Sequence, residues 1–114
     1  ASGQIANQAV FVQTPEDEGM PDGMTVDSQG YIWSARWDGG CLARYAPDGS
    51  EDCRVSFPAK KVSSVTFAGD DYTEMFVTTA GGDNKPVEGE GAGGLFRLTP
   101  DVSGREEYYS RIGL

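Results

Sequence analysis

Residues 21–49 read PDGMTVDSQGYIWSARWDGGCLARYAPDG. Three short runs, 24–27 (MTVD), 31–37 (YIWSARW) and 41–46 (CLARYA), favour extended chain. Each stops at a turn signal: Ser28-Gln29-Gly30, Asp38-Gly39-Gly40 and Pro47-Asp48-Gly49. Glycine in such a turn takes the positive φ that a tight hairpin needs, while Asp and Pro preset the bend. A fourth run, 52–57 (DCRVSF), returns from the last turn. Apolar alternation interrupted by turn residues specifies antiparallel strands joined by hairpins.

The pattern then begins again. Met24-Thr25-Val26 corresponds to Val65-Thr66-Phe67, Ile32-Trp33-Ser34-Ala35 to Phe76-Val77-Thr78-Thr79, and Leu42-Ala43-Arg44-Tyr45 to Leu95-Phe96-Arg97-Leu98. The offset widens before Leu95 because a polar, glycine-rich insert occupies 81–94. Four short strands in roughly 40–50 residues, repeated, are the pattern of a propeller blade. A sandwich is the structural alternative, but it need not repeat so regularly. Upstream, 9–14 (AVFVQT) reads as a strand and Pro15–Gly19 as an acidic loop; downstream, 106–112 (EEYYSRI) is a charged candidate strand. No stretch has an amphipathic helical period. The expected fold is all-β: about two four-stranded antiparallel blades of a β-propeller, eight to nine strands, with little or no helix. Residues 1–19 would be the last strand of a preceding blade plus a loop, 20–61 one complete blade, and 62–114 a final blade lacking its last strand.

Composition restricts the function classes. The chain has 114 residues, nine basic against eighteen acidic ones, and a net charge of −9. Such a chain repels phosphate backbones and anionic membranes, so neither nucleic acid nor a membrane surface is an expected partner. The charge tolerates divalent cations but equally suits plain solubility. There is no histidine, which rules out a Ser–His triad built on Ser34, Ser63 or Ser64 within this chain. No apolar run is long enough for a membrane span, and nothing at the start resembles a signal peptide. With two cysteines, Cys41 and Cys53, staggered across the Pro47-Asp48-Gly49 hairpin, the register puts Cys41 opposite Ser56 and Cys53 opposite Arg44. The sulfurs then do not meet. Free thiols and a cytoplasmic location are expected, and two cysteines so placed are no zinc site.

The segment 21–49, together with VSSVTFAGDDYTEMFVTTA (62–80), GGLFRLTP (93–100) and GQIANQAVFVQ (3–13), resembles the C-terminal part of the senescence-marker-protein/regucalcin/gluconolactonase family. The motifs occur in the family's order and cover nearly the whole chain. The resemblance implies part of a six-bladed propeller that binds one divalent metal in its central channel and hydrolyses sugar lactones or similar esters. It also implies that the aspartate of the first Pro-Asp-Gly, Asp22, is a metal ligand and a candidate general base. The family's other ligands, a glutamate near the start and asparagines in the middle, lie in blades outside this chain.

The residues agree with that role. Asp22 stands at the entry to an innermost strand, where a side chain can point into a propeller's channel. One carboxylate cannot hold calcium, which takes six to eight oxygens, or magnesium, which wants an octahedron. The cofactor expected is one divalent ion, calcium or zinc, bound only if other ligands are supplied. Read locally, Asp22 is equally a turn-forming Asp before Gly, as Asp48 is in the second Pro-Asp-Gly. Aligning the blades puts Ser63 at the position of Asp22, making it a candidate substrate-contacting or supporting group, or simply a polar residue at a strand start. Asp27, Asp70 and Asp71 fall at hairpin turns. Glu16, Asp17 and Glu18 suit a solvated loop, and the acidic residues of the insert do not have the spacing of an EF-hand. Trp33 and Trp37 share one side of their strand, which suits core packing more than sugar stacking.

Two function classes follow. One is a C-terminal fragment of a metal-dependent, gluconolactonase-like hydrolase, inactive as an isolated chain. The other is a non-catalytic module whose leading strand completes the last blade of another copy, head to tail, closing as a trimer with or without a cation where the Asp22 side chains converge.

Overall fold

The computed structural model describes residues 4–109. Seven strands form two antiparallel sheets. The first contains β1 (Met20–Val26), β2 (Ile32–Trp37), β3 (Cys41–Tyr45) and β4 (Glu51–Ser56), in that order. The second contains β5 (Val62–Ala68), β6 (Glu74–Thr79) and β7 (Leu95–Leu98). Within each sheet every strand pairs with the next in sequence, across tight turns except between β6 and β7, which the insert joins. Gly30 at φ 83 and Gly49 at φ 85 occupy the left-handed region at the β1–β2 and β3–β4 turns.

The sheets pack face to face. Trp33, Ala35 and Leu42 from the first meet Val62, Val65, Phe67, Met75 and Val77 from the second, all buried. Alternation places them: β5 reads buried at Val62, Val65 and Phe67 and more open between. Trp33 and Phe67 meet edge to face at 6.5 Å between ring centres. Beyond β7 the chain crosses back to the first sheet, where Ser28 N donates to Ser103 O at 2.9 Å and Asp27 bridges Gly104.

One detail differs from the sequence expectation. Residues 9–14 form no ladder; they lie irregularly across the outer face of β1–β3, beside Ser34, Arg36 and Tyr45. An alternating run becomes a strand only when a partner edge is available, and β1 offers that segment a face instead. The second sheet has three strands among the described residues. Residues 105–109 are irregular, and the remainder of the charged candidate strand lies outside the described residues. The insert carries a 3-10 turn, Gly82–Asn84, and one helical turn, α1 (Lys85–Glu88), with Pro86 in its first turn.

Candidate site at the strand entries

The entries of β1 and β5 lie side by side. Gly23 has no room for a side chain: a Cβ there would stand 2.8 Å from Ser63 O and 2.5 Å from Ser64 Oγ. Both strands are irregular at this point. The β1–β2 register slips between Pro21 and Met24, and the β5–β6 register between Val62 and Ser64. Such bulges re-aim side chains at a sheet edge. The two slips enclose Asp22 and Ser63, the positions that the internal repeat equates.

Asp22 is exposed, and its carboxylate has no hydrogen bond or ion pair among the described residues. Ser63 is half-buried; its hydroxyl donates to Thr78 O at 3.1 Å and shares a 2.8 Å hydrogen bond with Thr78 Oγ1. No cluster of three or more His, Cys, Asp or Glu side chains with metal-binding geometry occurs among the described residues. A single exposed carboxylate fits one corner of an oxygen-donor shell, not a complete one.

Loops close around this end. Lys61, on the connector into β5, donates to Asp38 Oδ1 at 2.6 Å and to Glu88 Oε2 at 2.9 Å, with its ammonium 5.5 Å from the centre of the Trp37 ring. The lysine thereby ties the β2–β3 turn to the insert. Its pKa is raised, chiefly by the Asp38 hydrogen bond and then by Glu88. The insert is also pinned through its backbone, Gly91 N donating to Pro58 O at 2.7 Å. Trp37 is therefore half-covered by Lys61, while Trp33 belongs to the core.

The other sequence candidates take different parts. Asp48 and Asp71 act as turn carboxylates toward Ser50 and Thr73. Cys41 faces Ser56 and Cys53 faces Arg44, and both thiols are free. Asp27 does far more than close a turn. Only 1% exposed, it accepts Gln29 N and Tyr31 N through Oδ1, and Trp33 Nε1, Arg44 Nε and Arg44 Nη2 through Oδ2. Arg44 also reaches Asp52 at 2.8 Å and stacks 3.9 Å from the Tyr31 ring centre. Burial opposes the charge on Arg44, but hydrogen bonds to Asp52 and Asp27 outweigh it and raise the pKa. The sequence signals were Asp27 and Arg44 separately; nothing local joins residues so far apart in the chain.

An antiparallel four-stranded sheet stacked on a three-stranded one, with inner strands adjacent, defines two blades of a β-propeller. The family described as SMP-30/Gluconolactonase/LRE-like region matches residues 1–81, and the chain belongs to it. Pentonolactonase XacC of Haloferax volcanii is 48% identical over 120 residues, covering 99% of this chain and 41% of that protein. Human regucalcin is 37% identical over 103 residues, covering 86% and 34%. Among solved structures, a calcium-binding protein, regucalcin, from Agrobacterium tumefaciens superimposes with a TM-score of 0.82 at 32% identity, covering 94% of this chain and 37% of that one. The chain thus spans less than half the length of these relatives. No helix among the described residues is long and apolar enough to cross a membrane.

Proposed function

We propose that this chain is the part of a metal-dependent sugar-lactone hydrolase that supplies Asp22 to the metal, and that it is inactive without further blades. The observation that carries this reading is the close approach of Gly23, next to Asp22, to Ser63 and Ser64 where the registers of β1 and β5 slip. The lactonase relative and the calcium-binding structural neighbour support it. A divalent cation bound there, calcium or zinc, supplies Lewis-acid polarisation of an ester carbonyl. Asp22 would help hold such an ion, and its carboxylate would be the group able to accept a proton from water. Ser63, fixed by Thr78, contacts the sugar or buttresses Asp22. Free thiols suit the reducing cytoplasm, where we place the chain.

Calorimetric titration of the isolated chain with calcium and with zinc tests the ligand role. Weak binding, roughly millimolar at best for so few ligands, should vanish in Asp22→Ala. Unchanged affinity in that variant removes Asp22 from the metal. Metal-dependent lactone hydrolysis by the isolated chain, followed in a pH-stat, would overturn the inactivity.

A second reading is favoured by the outer edge of β7, which has no partner strand among the described residues, and by Leu95, 66% exposed beside it. In it, copies associate head to tail, three to a ring, and their Asp22 side chains share the cation. Sedimentation separates the readings: a trimer supports the ring, and a monomer at high concentration removes it.

A further inference from the structure

The insert between β6 and β7 is bracketed by two glycine pairs, Gly81-Gly82 and Gly93-Gly94. Gly81 at φ 82 and Gly93 at φ 77 take the left-handed conformation that other residues adopt only under strain. The pairs also touch: a Cβ on Gly93 would stand 2.8 Å from Gly82 Cα. The two ends of residues 83–92 therefore meet at one narrow neck. Within that stretch only Ala92 is buried, and Val87, on α1, is 55% exposed. Its anchors are polar and come mainly from the connector between β4 and β5. Gly91 N donates to Pro58 O at 2.7 Å and Lys60 N to Glu88 O at 2.8 Å, and the Lys61 ammonium meets the Glu88 carboxylate at 2.9 Å. From β6, Thr79 Oγ1 donates to Gly91 O at 3.1 Å. All of these groups belong to the two blades within this chain.

Lys61 differs from the other anchors. Its ammonium is shared between Glu88 and Asp38 of the β2–β3 turn, so its charge joins the insert to the first blade. Without it, two carboxylates that converge on one point would face each other, and like charges so placed repel. The insert leaves β6 at Thr79, the partner of Val62 at the start of β5, so it lies at the end of the sheets where the inner strands begin. We propose that residues 83–92 are a flap that opens as a unit about the two glycine pairs, and that Lys61 is the latch holding it shut across the boundary between the blades. A segment with a narrow neck and little buried apolar surface opens at lower free energy than the sheets beneath it. Opening uncovers the hydroxyl of Thr79, next to the Thr78 that fixes Ser63. The flap rests on these contacts and does not depend on a metal at Asp22.

Native-state hydrogen exchange of the whole chain, read by NMR without added metal, tests this. The amides of Gly89, Gly91 and Ala92, which donate to Lys85 O, Pro58 O and Gly89 O, should exchange together and faster than the amides of β6, the central strand of the second sheet. Lys61→Met should speed the three flap amides about fivefold, the weight of one good ion pair, and leave β6 unchanged. Lys61→Arg, which keeps the charge, should keep the slower rate. Glu88→Gln should speed the same amides, and it decides in place of Lys61→Met should that variant fail to fold. Flap amides that exchange as slowly as β6, or independently of one another, overturn the flap. Unchanged flap exchange in Lys61→Met, or an acceleration shared equally with β6, overturns the latch. Because no metal is present, failure of the metal reading leaves this test intact.

Discussion

Removing the Asp27 carboxylate should cost more stability than any other single polar change in the described chain. In Asp27→Ala the Arg44 guanidinium, whose side chain is 11% exposed, loses the partner that takes both Nε at 2.9 Å and Nη2 at 2.6 Å. Breaking a buried pair from one side costs about 3–5 kcal/mol. Arg44 keeps Asp52 at 2.8 Å and Gln29 at 2.8 Å, which puts this loss at about 3 kcal/mol. Trp33 Nε1 also loses its acceptor at 3.0 Å, adding about 1 kcal/mol. The sum, about 4 kcal/mol, is a large share of the ~5–15 kcal/mol that holds a domain folded. In urea, with a slope of about 2 kcal/mol per molar, the midpoint should fall by about 2 M. Asp27→Asn keeps the shape and one acceptor, but its amide must aim a donor at Trp33 or Arg44, or at the backbone N–H groups. It should therefore lose nearly as much. An Asp27→Asn midpoint within about 0.5 M of the parent chain would refute the argument that a buried negative charge organises this corner. The double variant Asp27→Ala/Arg44→Met should lose less than the two single losses added, since no unpaired cation then remains.

Gly23→Ala should destabilise by about 1–3 kcal/mol, because a methyl group there meets Ser63 O and must push β1 and β5 apart; Asp22→Ala, one residue away, should change the urea midpoint hardly at all. Acid titration of stability by circular dichroism should show a loss that begins as pH falls into the ordinary carboxylate range and is complete only below it. Glu51 is depressed by its Arg54 hydrogen bond and Asp52 by its Arg44 hydrogen bond, so each contributes fully above its unfolded pKa and fades as pH falls through the lower folded one. At the alkaline end, Lys61 is raised by Asp38 and Glu88, so its contribution is fully present below its unfolded pKa and is lost as pH rises through the folded one. A thiol reagent should modify Cys53 in the native chain and Cys41 only after denaturation, because Cys41 is 5% exposed; two fast thiols in the native state would contradict the covered β3 face.

The hairpins were legible because their information is local. Asp48-Gly49 sets the β3–β4 turn, and from it the staggered cysteines followed, Cys41 against Ser56 and Cys53 against Arg44. The repeat gave the pairing of Asp22 with Ser63, since a blade reuses its strand entries. What escaped depends on partners distant in the chain. Residues 9–14 alternate like a strand yet have no edge to join. Lys61 looked like one more surface lysine until the β2–β3 turn and the insert converged on it. Arg36 sat in an apolar run where its long stem passes for packing, and only the covered face shows the head group buried too.

Asp22 and Asp27 stand near opposite ends of β1, and in sequence both look like an aspartate beside a turn. Their fates differ because of what the fold delivers to each. At the far end β3 brings Arg44, which stands beside the β1–β2 turn through the Trp33↔Arg44 register, so the charge on Asp27 is neutralised from within and can be buried. At the near end the bulge turns Asp22 outward, and the adjoining lysine, Lys61, is already shared between Asp38 and Glu88. A carboxylate left without an internal cation, in a chain of net charge −9, is the one that gains from a cation supplied from outside. That difference is why the metal reading attaches to Asp22, while Asp27 is a structural charge whose removal destabilises the blade.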